Sequence, residues 1–334
     1  MRRFFDWKFW LGLCLSVLLL YLAVRKVNVS MIGQALKQVQ YSFLIPVIVL
    51  VVFSFWLRAY RWRFLLEPIQ SIPMASMFSA TMIGFMANNI FPARLGEFLK
   101  AYAIHRKSGV GKSASFATIV VERVFDGITL LFMLSLVFLM WRYSFPAWVK
   151  KVSLFAMAVY IVALIVLIVL KLQTRRTMRI IQFALKPFPD RISEGVVRIS
   201  HSFIRGLDIL HTPKNIGIAA ILSLAIWMLN ALVVHLQLIA FRISLPFHAS
   251  VLLIILIAFG VMIPSAPGYV GTIQFLCVAG LAIFGIAKPE ALSFSLVFHA
   301  TQYIPVTAIG AVYFLIEGFS FSVIEKAGGV PEGS

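Results

Sequence analysis

The stretch Pro264-Ser265-Ala266-Pro267-Gly268-Tyr269-Val270-Gly271-Thr272-Ile273-Gln274 breaks an apolar segment in the middle. Two prolines remove backbone donors and stop a helix. Gly268 permits a positive φ or the close approach of another group. The apolar arms, 250–263 and 275–286, are about fourteen and twelve residues long, against the roughly twenty that a helix needs to cross a bilayer. Two ordinary spans joined by a tight loop would have longer arms. The reading is therefore a re-entrant hairpin of two half-helices over 250–286, since irregular backbone at membrane depth is tolerated only where protein or a cavity covers it. Gln274 then lies near the membrane interior as a neutral hydrogen-bonding group.

An earlier stretch has the same character. Asn88-Asn89-Ile90-Phe91-Pro92-Ala93-Arg94-Leu95-Gly96-Glu97 follows a short apolar run, 74–87. Its paired Asn, Pro92 and Gly96 break or load a helix, which predicts a first hairpin over 74–105. Ile90 to Gly96 aligns with Met262 to Gly268. Downstream, Ser115-Phe116 precedes Glu122-Arg123-Val124-Phe125-Asp126, as Ser293-Phe294 precedes His299-Ala300-Thr301-Gln302-Tyr303. Each copy reads as span, broken hairpin, polar span. The first hairpin is expected from inside and the second from outside, an inverted repeat of the kind that transporters use.

Working outward, apolar runs predict full spans at 9–24, 41–57, 113–141, 152–170, 215–241 and 291–316. The span at 41–57 ends in Arg58, Arg61 and Arg63. The expected fold is an all-α integral membrane protein with about six transmembrane helices and two re-entrant hairpins. It is one polytopic domain over 1–334: a first half 1–170, a basic amphipathic cytoplasmic segment 171–214, and a second half 215–326. The segment 171–214 has Ile180, Ile181, Ala184 and Leu185 at helical spacing and reads as one or two helices on the membrane surface.

Composition agrees. Of 334 residues, 61% are hydrophobic and 13% charged, where a soluble domain is nearer half apolar and a quarter charged. Soluble, disordered, collagen-like and disulfide-scaffold classes are excluded. The net charge of +18 is explained by cationic loops that fix orientation and face anionic headgroups, so no nucleic-acid partner is inferred. Most Lys and Arg then fall inside, with both termini cytoplasmic. The run after Met1-Arg2-Arg3 resembles a signal peptide but lacks a small-residue cleavage site, and reads as an uncleaved first span. Cys14 and Cys277 lie far apart in apolar runs and suggest neither disulfide nor metal. Gly109-Val110-Gly111-Lys112-Ser113 resembles the end of a phosphate-binding loop, but Arg106 stands where that pattern needs Gly. No cofactor, metal or catalytic residue is expected.

The candidate site is charged. Glu122 and Asp126 share a helix face, and Arg123 lies three residues before Asp126. Charges this deep are costly and face a cavity or a partner. One reading is a buried ion network clamping hairpin to span. The other is a polar cavity in which Arg94 or Arg123 holds a lipid phosphate, because the guanidinium fork binds two oxygens at once. Candidate substrate-binding residues are Asn88, Asn89, Arg94, Glu97, Glu122, Arg123, Asp126, Gln274, His299 and Gln302. Candidate gating residues are Pro92, Gly96, Pro264, Pro267, Gly268 and Gly271. His299, Gln302 and Tyr303 share a helix face, where His299 reads first as a packing group and second as a pH sensor.

These residues carry a resemblance. Asn89, Pro92, Arg94, Gly96 and Glu97, then Glu122-Arg123 and Asp126, then Pro264 through Gln274, resemble the lysylphosphatidylglycerol synthase transmembrane-domain family. This is the flippase-like domain of the bacterial multiple peptide resistance factor, also found as stand-alone proteins. The resemblance covers essentially the whole chain. It implies a bacterial inner-membrane protein that moves lipids between leaflets, with re-entrant helices. The family often has Glu where this chain has Gln274, and Arg in the last polar span where it has His299. The aminoacyl-transferase domain of fused members has no counterpart after Ile316, so the chain is not expected to aminoacylate lipid by itself.

The expected function is translocation of an anionic or polyprenyl-linked lipid headgroup, with membrane lipids as partners and homo-oligomerisation left open. Arg94 and Arg123 would attract phosphate, while Glu97, Glu122 and Asp126 would position those arginines or bind a cationic headgroup. On this reading Arg94→Ala folds but loses transport. A second reading is a membrane scaffold for a lipid-modifying or glycosyltransferase enzyme, docked on 171–214. A third, an intramembrane enzyme using Glu122 and Asp126 as acid and base, lacks a nucleophile or metal set.

Overall fold

The structure, a computed structural model, describes residues 7–25, 27–91, 95–140, 147–185, 190–207, 212–262 and 265–319. Those residues form helices joined by turns, with no strand among them. In chain order the helices are α1 (Trp7–Val24), α2 (Val29–Lys37), α3 (Leu44–Leu66), α4 (Met74–Ile90), α5 (Leu95–Ser108), α6 (Lys112–Met140), α7 (Ala147–Leu172), α8 (Thr174–Leu185), α9 (Asp190–Gly206), α10 (Pro213–Ala240), α11 (Phe247–Gly260), α12 (Thr272–Ala282) and α13 (Lys288–Ile316).

The chain is an all-α membrane protein. Among the described residues three helical stretches are long and apolar enough to cross a bilayer alone: Tyr41–Leu66, Pro213–Ala240 and Lys288–Ile316. A fourth results if Met157–Leu170 and Thr174–Phe183, bent by 88°, count as one span. α6 has 29 residues, about 44 Å at 1.5 Å per residue, but carries Glu122, Arg123 and Asp126. Large apolar side chains face outward, among them Ile45, Leu139, Ile221 and Leu315, as they do when lipid is the solvent. The interior holds two large apolar clusters, around Trp62, Ile83 and Leu99 and around Leu252, Ile255 and Phe294. A third contains Val47, Met82, Val233 and Val306 and shares Phe78 and Tyr313 with the first.

Polar contacts mark the two ends of the bundle. At one end Asn215 donates to Glu67 Oε2 (2.8 Å), Gln70 to the Ser108 carbonyl (3.1 Å), and Lys107 pairs with Glu317. At the other, the Gln40 N–H donates to the Ala240 carbonyl (2.9 Å), and Lys288 Nζ donates to the carbonyls of Leu22 and Arg25 (2.8 and 2.9 Å). The short pair α4–α5 starts and finishes at the first end; α11–α12 does so at the second. Their inner ends meet. Tyr303 Oη of α13 stands 3.4 Å from the Asn89 carbonyl oxygen, and a Cβ on Gly268 would stand 3.2 Å from that same oxygen.

The break in the second pair is built as its residues dictate. Gly268 and Gly271 have φ of 69° and 84°, a region that L side chains disfavour. A Cβ on Gly271 would also lie 2.2 Å from the Ser16 carbonyl oxygen of α1. In the first pair a Cβ on Gly96 would fall 1.9 Å from the Gly84 oxygen. Asn88 Oδ1 accepts from the Gly96 N–H (2.9 Å). Pro92, Arg94 and Pro264 lie outside the described residues. The basic segment forms α8 and α9, with Gly206 of α9 packed against Ala114 and Ala117 of α6.

Candidate functional site

A buried charge cluster sits where α3, α5, α6 and α10 cross. α6 supplies Glu122 and Asp126, one turn apart. α3 supplies Arg61, which is fully buried. Its guanidinium donates to Asp126 Oδ1 (2.6 Å) and Ser223 Oγ (2.6 Å) through Nη1, and to Glu122 Oε1 (2.9 Å) through Nη2. Lys100 of α5 donates to the other Glu122 oxygen (2.7 Å) and lies 4.0 Å from the centre of the Trp62 ring. Trp227 of α10 donates to Asp126 Oδ1 (3.0 Å). Glu122 is thereby satisfied from two directions by two cations, and Asp126 Oδ1 by two donors. Two carboxylates placed this deep require such counter-charges.

Asp126 Oδ2 is different. Arg58 Nη1 stands 3.6 Å away and Arg123 Nη2 3.4 Å, both beyond good hydrogen-bond distance. Oδ2 has no hydrogen-bond partner among the described residues, and neither do the Nε atoms of Arg58, Arg61 and Arg123. Arg58 is held between the rings of Phe55 and Phe85 (5.9 Å each) and Trp227 (5.1 Å). Arg123 is the outward member, with its side chain 30% exposed. A Cβ on Gly127, one turn further along α6, would strike the Tyr160 ring of α7, and Tyr160 donates to Met262 Sδ (3.1 Å). Arg123 thus lies on α6 near α7 and the end of α11.

A neutral network holds the second break. The Gly271 N–H donates to Gln274 Oε1 (2.7 Å), which fixes the amide. Its nitrogen then faces His299 Nδ1 (3.0 Å), so Nδ1 is the acceptor and Nε2 carries the ring proton. The His299 ring also meets Tyr303 edge-on. The two positions at which the sequence departs from the resembled family therefore touch. Asn89 joins the network's border by donating to Thr307 Oγ1 (2.9 Å).

The structure brings Glu122, Arg123 and Asp126 together with Lys100, and gathers Gln274, His299, Gly268 and Gly271 at the other break. Gln302, half-buried on α13, makes no side-chain hydrogen bond among the described residues. Arg58 and Arg61 correct the sequence reading, which treats them as the charged end of a short span. α3 runs on to Leu66, and both arginines are internal counter-ions. A span of 41–57, short of the twenty residues expected, was the available signal. Ser223 and Trp227, one turn apart on an apolar span, gave none. No group of three or more His, Cys, Asp or Glu able to hold a metal ion occurs among the described residues.

The model of the lysylphosphatidylglycerol synthase transmembrane region matches residues 9–310. The chain belongs to that family. A UPF0104 membrane protein of Methanothermobacter thermautotrophicus is 23% identical, over 94% of this chain and 93% of its own length. The UPF0104 membrane protein MJ1595 of Methanocaldococcus jannaschii is 23% identical, over 91% and 92%. The glycosyltransferase AglD of Haloferax volcanii is 31% identical over 36% of this chain and 19% of its own length. No solved structure matches the chain. This member of the lysylphosphatidylglycerol synthase transmembrane-region family is a multi-pass membrane protein of lipid or glycolipid metabolism or transport.

Proposed function

We propose that the chain moves a phosphate-bearing lipid headgroup, anionic or polyprenyl-linked, between membrane leaflets. One observation carries this reading. Four cations, Arg58, Arg61, Lys100 and Arg123, surround two carboxylates, and one of the four is partly exposed. Positive charge is in excess there, and an uncompensated cation deep in a membrane protein calls for an anionic visitor. Glu122 and Asp126 are occupied by their own cations, which argues against the reading in which they bind a cationic headgroup.

The two halves, 1–170 and 215–326, are an inverted repeat in this proposal. α4–α5 and α11–α12 are its re-entrant hairpins, and the Asn89–Gly268–Tyr303 contact is the gate between them. The end carrying Lys107, Lys112 and Arg175 faces the cytoplasm, as do both termini. The membrane is the bacterial inner membrane. The experiment is lipid exchange between leaflets in vesicles containing only the purified protein, using headgroup-labelled lipid and surface quenching. Arg123→Ala should fold and lose exchange; Arg94→Ala, if Arg94 shares the task, should do the same. Undiminished exchange in a folded Arg123→Ala protein overturns the site.

A second reading is favoured by the likeness to the protein named glycosyltransferase AglD: the chain acts as a membrane partner of a glycosyltransferase or other lipid-modifying enzyme. The exposed Arg175, Arg176 and Arg179 of α8 would be the dock. Neutralising them should then abolish function while Arg123→Ala leaves it intact.

A further inference from the structure

We infer that Arg58 and Arg123 form a two-arginine seat for a lipid phosphate, and that Asp126 Oδ2 is the resident anion which the phosphate replaces. Headgroups that carry phosphate without an amine are its ligand class. This rests on the proposed function for its lipid, though binding is a separate observable from movement.

The geometry is that of a placeholder. Both guanidiniums point at one oxygen, at 3.6 and 3.4 Å, and that oxygen accepts no hydrogen bond among the described residues. Asp126 is anchored through its other oxygen by Arg61 and Trp227, so Oδ2 is the oxygen with the weaker hold. Arg58 is more than nine-tenths buried, with its Nε unpartnered. Its aromatic surround supplies ring faces and no anion. A purely structural ion pair would close to a charge-assisted hydrogen bond of about 2.7–2.9 Å, as Arg61 and Lys100 do. A phosphate presents several oxygens to the same two forks and accepts from both, which one carboxylate oxygen does poorly here. It would reach Arg123 first, from the exposed side, and Arg58 once Oδ2 turns away. An aminoacylated headgroup would bring its ammonium beside Arg58, Arg61, Lys100 and Arg123, where Glu122 is already held by Arg61 and Lys100 and Asp126 by Arg61 and Trp227.

The test is binding of short-chain phosphatidylglycerol, phosphatidylcholine and lysyl-phosphatidylglycerol to the purified full chain. It is read by native mass spectrometry and by the shift in unfolding temperature. Phosphatidylglycerol should bind at least about tenfold more tightly than the other two. Arg58→Gln should weaken it about tenfold, and Arg58→Lys, which keeps the charge and loses the fork, should weaken it while folding normally. Asp126→Asn should strengthen it, because the competing anion is gone. The inference is overturned if lysyl-phosphatidylglycerol binds as tightly, if folded Arg58→Lys binds unchanged, or if folded Asp126→Asn binds more weakly. Leaflet exchange measured on the same samples separates the two ideas. Binding as expected without exchange removes the transport reading and keeps the seat; exchange with binding indifferent to Arg58 and Asp126 removes the seat and keeps transport.

Discussion

Arg61→Gln should be the most damaging single change in the charge cluster. Arg61 is fully buried and makes three hydrogen bonds, to Asp126, Glu122 and Ser223. Bonds involving a charged group contribute about 1.5–3 kcal/mol each, so simple addition gives about 4.5–9 kcal/mol. The carboxylates are not left alone, however. Glu122 keeps Lys100, and Asp126 keeps Trp227 with Arg58 and Arg123 nearby. The expected loss is therefore about 3–5 kcal/mol, the range for breaking a buried pair from one side. Arg123→Gln provides the contrast. Its ion contacts are 3.4 and 4.0 Å long, and its side chain is partly exposed, so about 1 kcal/mol or less is expected. Equilibrium unfolding in mixed micelles, monitored by tryptophan fluorescence, measures both. If Arg61→Gln costs under about 1 kcal/mol, or no more than Arg123→Gln, the division into a structural Arg61 and a ligand-facing Arg123 fails.

Gly271→Ala combines a φ of 84° with a Cβ 2.2 Å from the Ser16 oxygen, and should lower stability by at least about 2 kcal/mol. Gly285→Ala, with φ 76° and open space around it, should cost only about 1–2 kcal/mol; thermal unfolding of both variants separates strain from clash. Gln274→Ala leaves the buried Gly271 N–H and His299 without their partner and should cost about 1–3 kcal/mol, checked by the same unfolding assay. Cysteines at Lys112 and Lys214 should react with an impermeant thiol reagent from one side of the membrane, and cysteines at Arg242 and Glu290 from the other. Labelling of both pairs from one side would contradict the two-ended bundle.

The broken helices were legible because Pro and Gly act locally. The pattern from Pro264 to Gly271 states where a helix stops whatever surrounds it, and the structure shows the positive φ values at Gly268 and Gly271 that the glycines allowed. Glu122 and Asp126 were legible for a similar reason, as carboxylates too deep in an apolar helix to be ignored. Their partners were not. Arg58 and Arg61 follow an apolar run in sequence, where the positive-inside tendency gives cations an ordinary explanation. Only the tertiary approach of α3 to α6 makes them counter-ions. Trp227 and Ser223 lie on α10, and nothing in an apolar span announces which other helix its one polar atom meets. Gln274 and His299 were each singled out, but their contact joins residues from two different helices and no spacing rule encodes it. Gln302 shows the reverse: a helix face shared with His299 does not make a residue part of its network.

The central claim is that this protein carries anionic, phosphate-bearing headgroups across the bilayer by way of Arg123. Leaflet exchange in vesicles of the purified chain tests it, comparing labelled phosphatidylglycerol with labelled phosphatidylcholine in wild type and in Arg123→Gln. Faster exchange of phosphatidylglycerol, lost in a folded Arg123→Gln protein, is the result expected. Equal exchange of both lipids, or no exchange by inserted and folded protein, contradicts it.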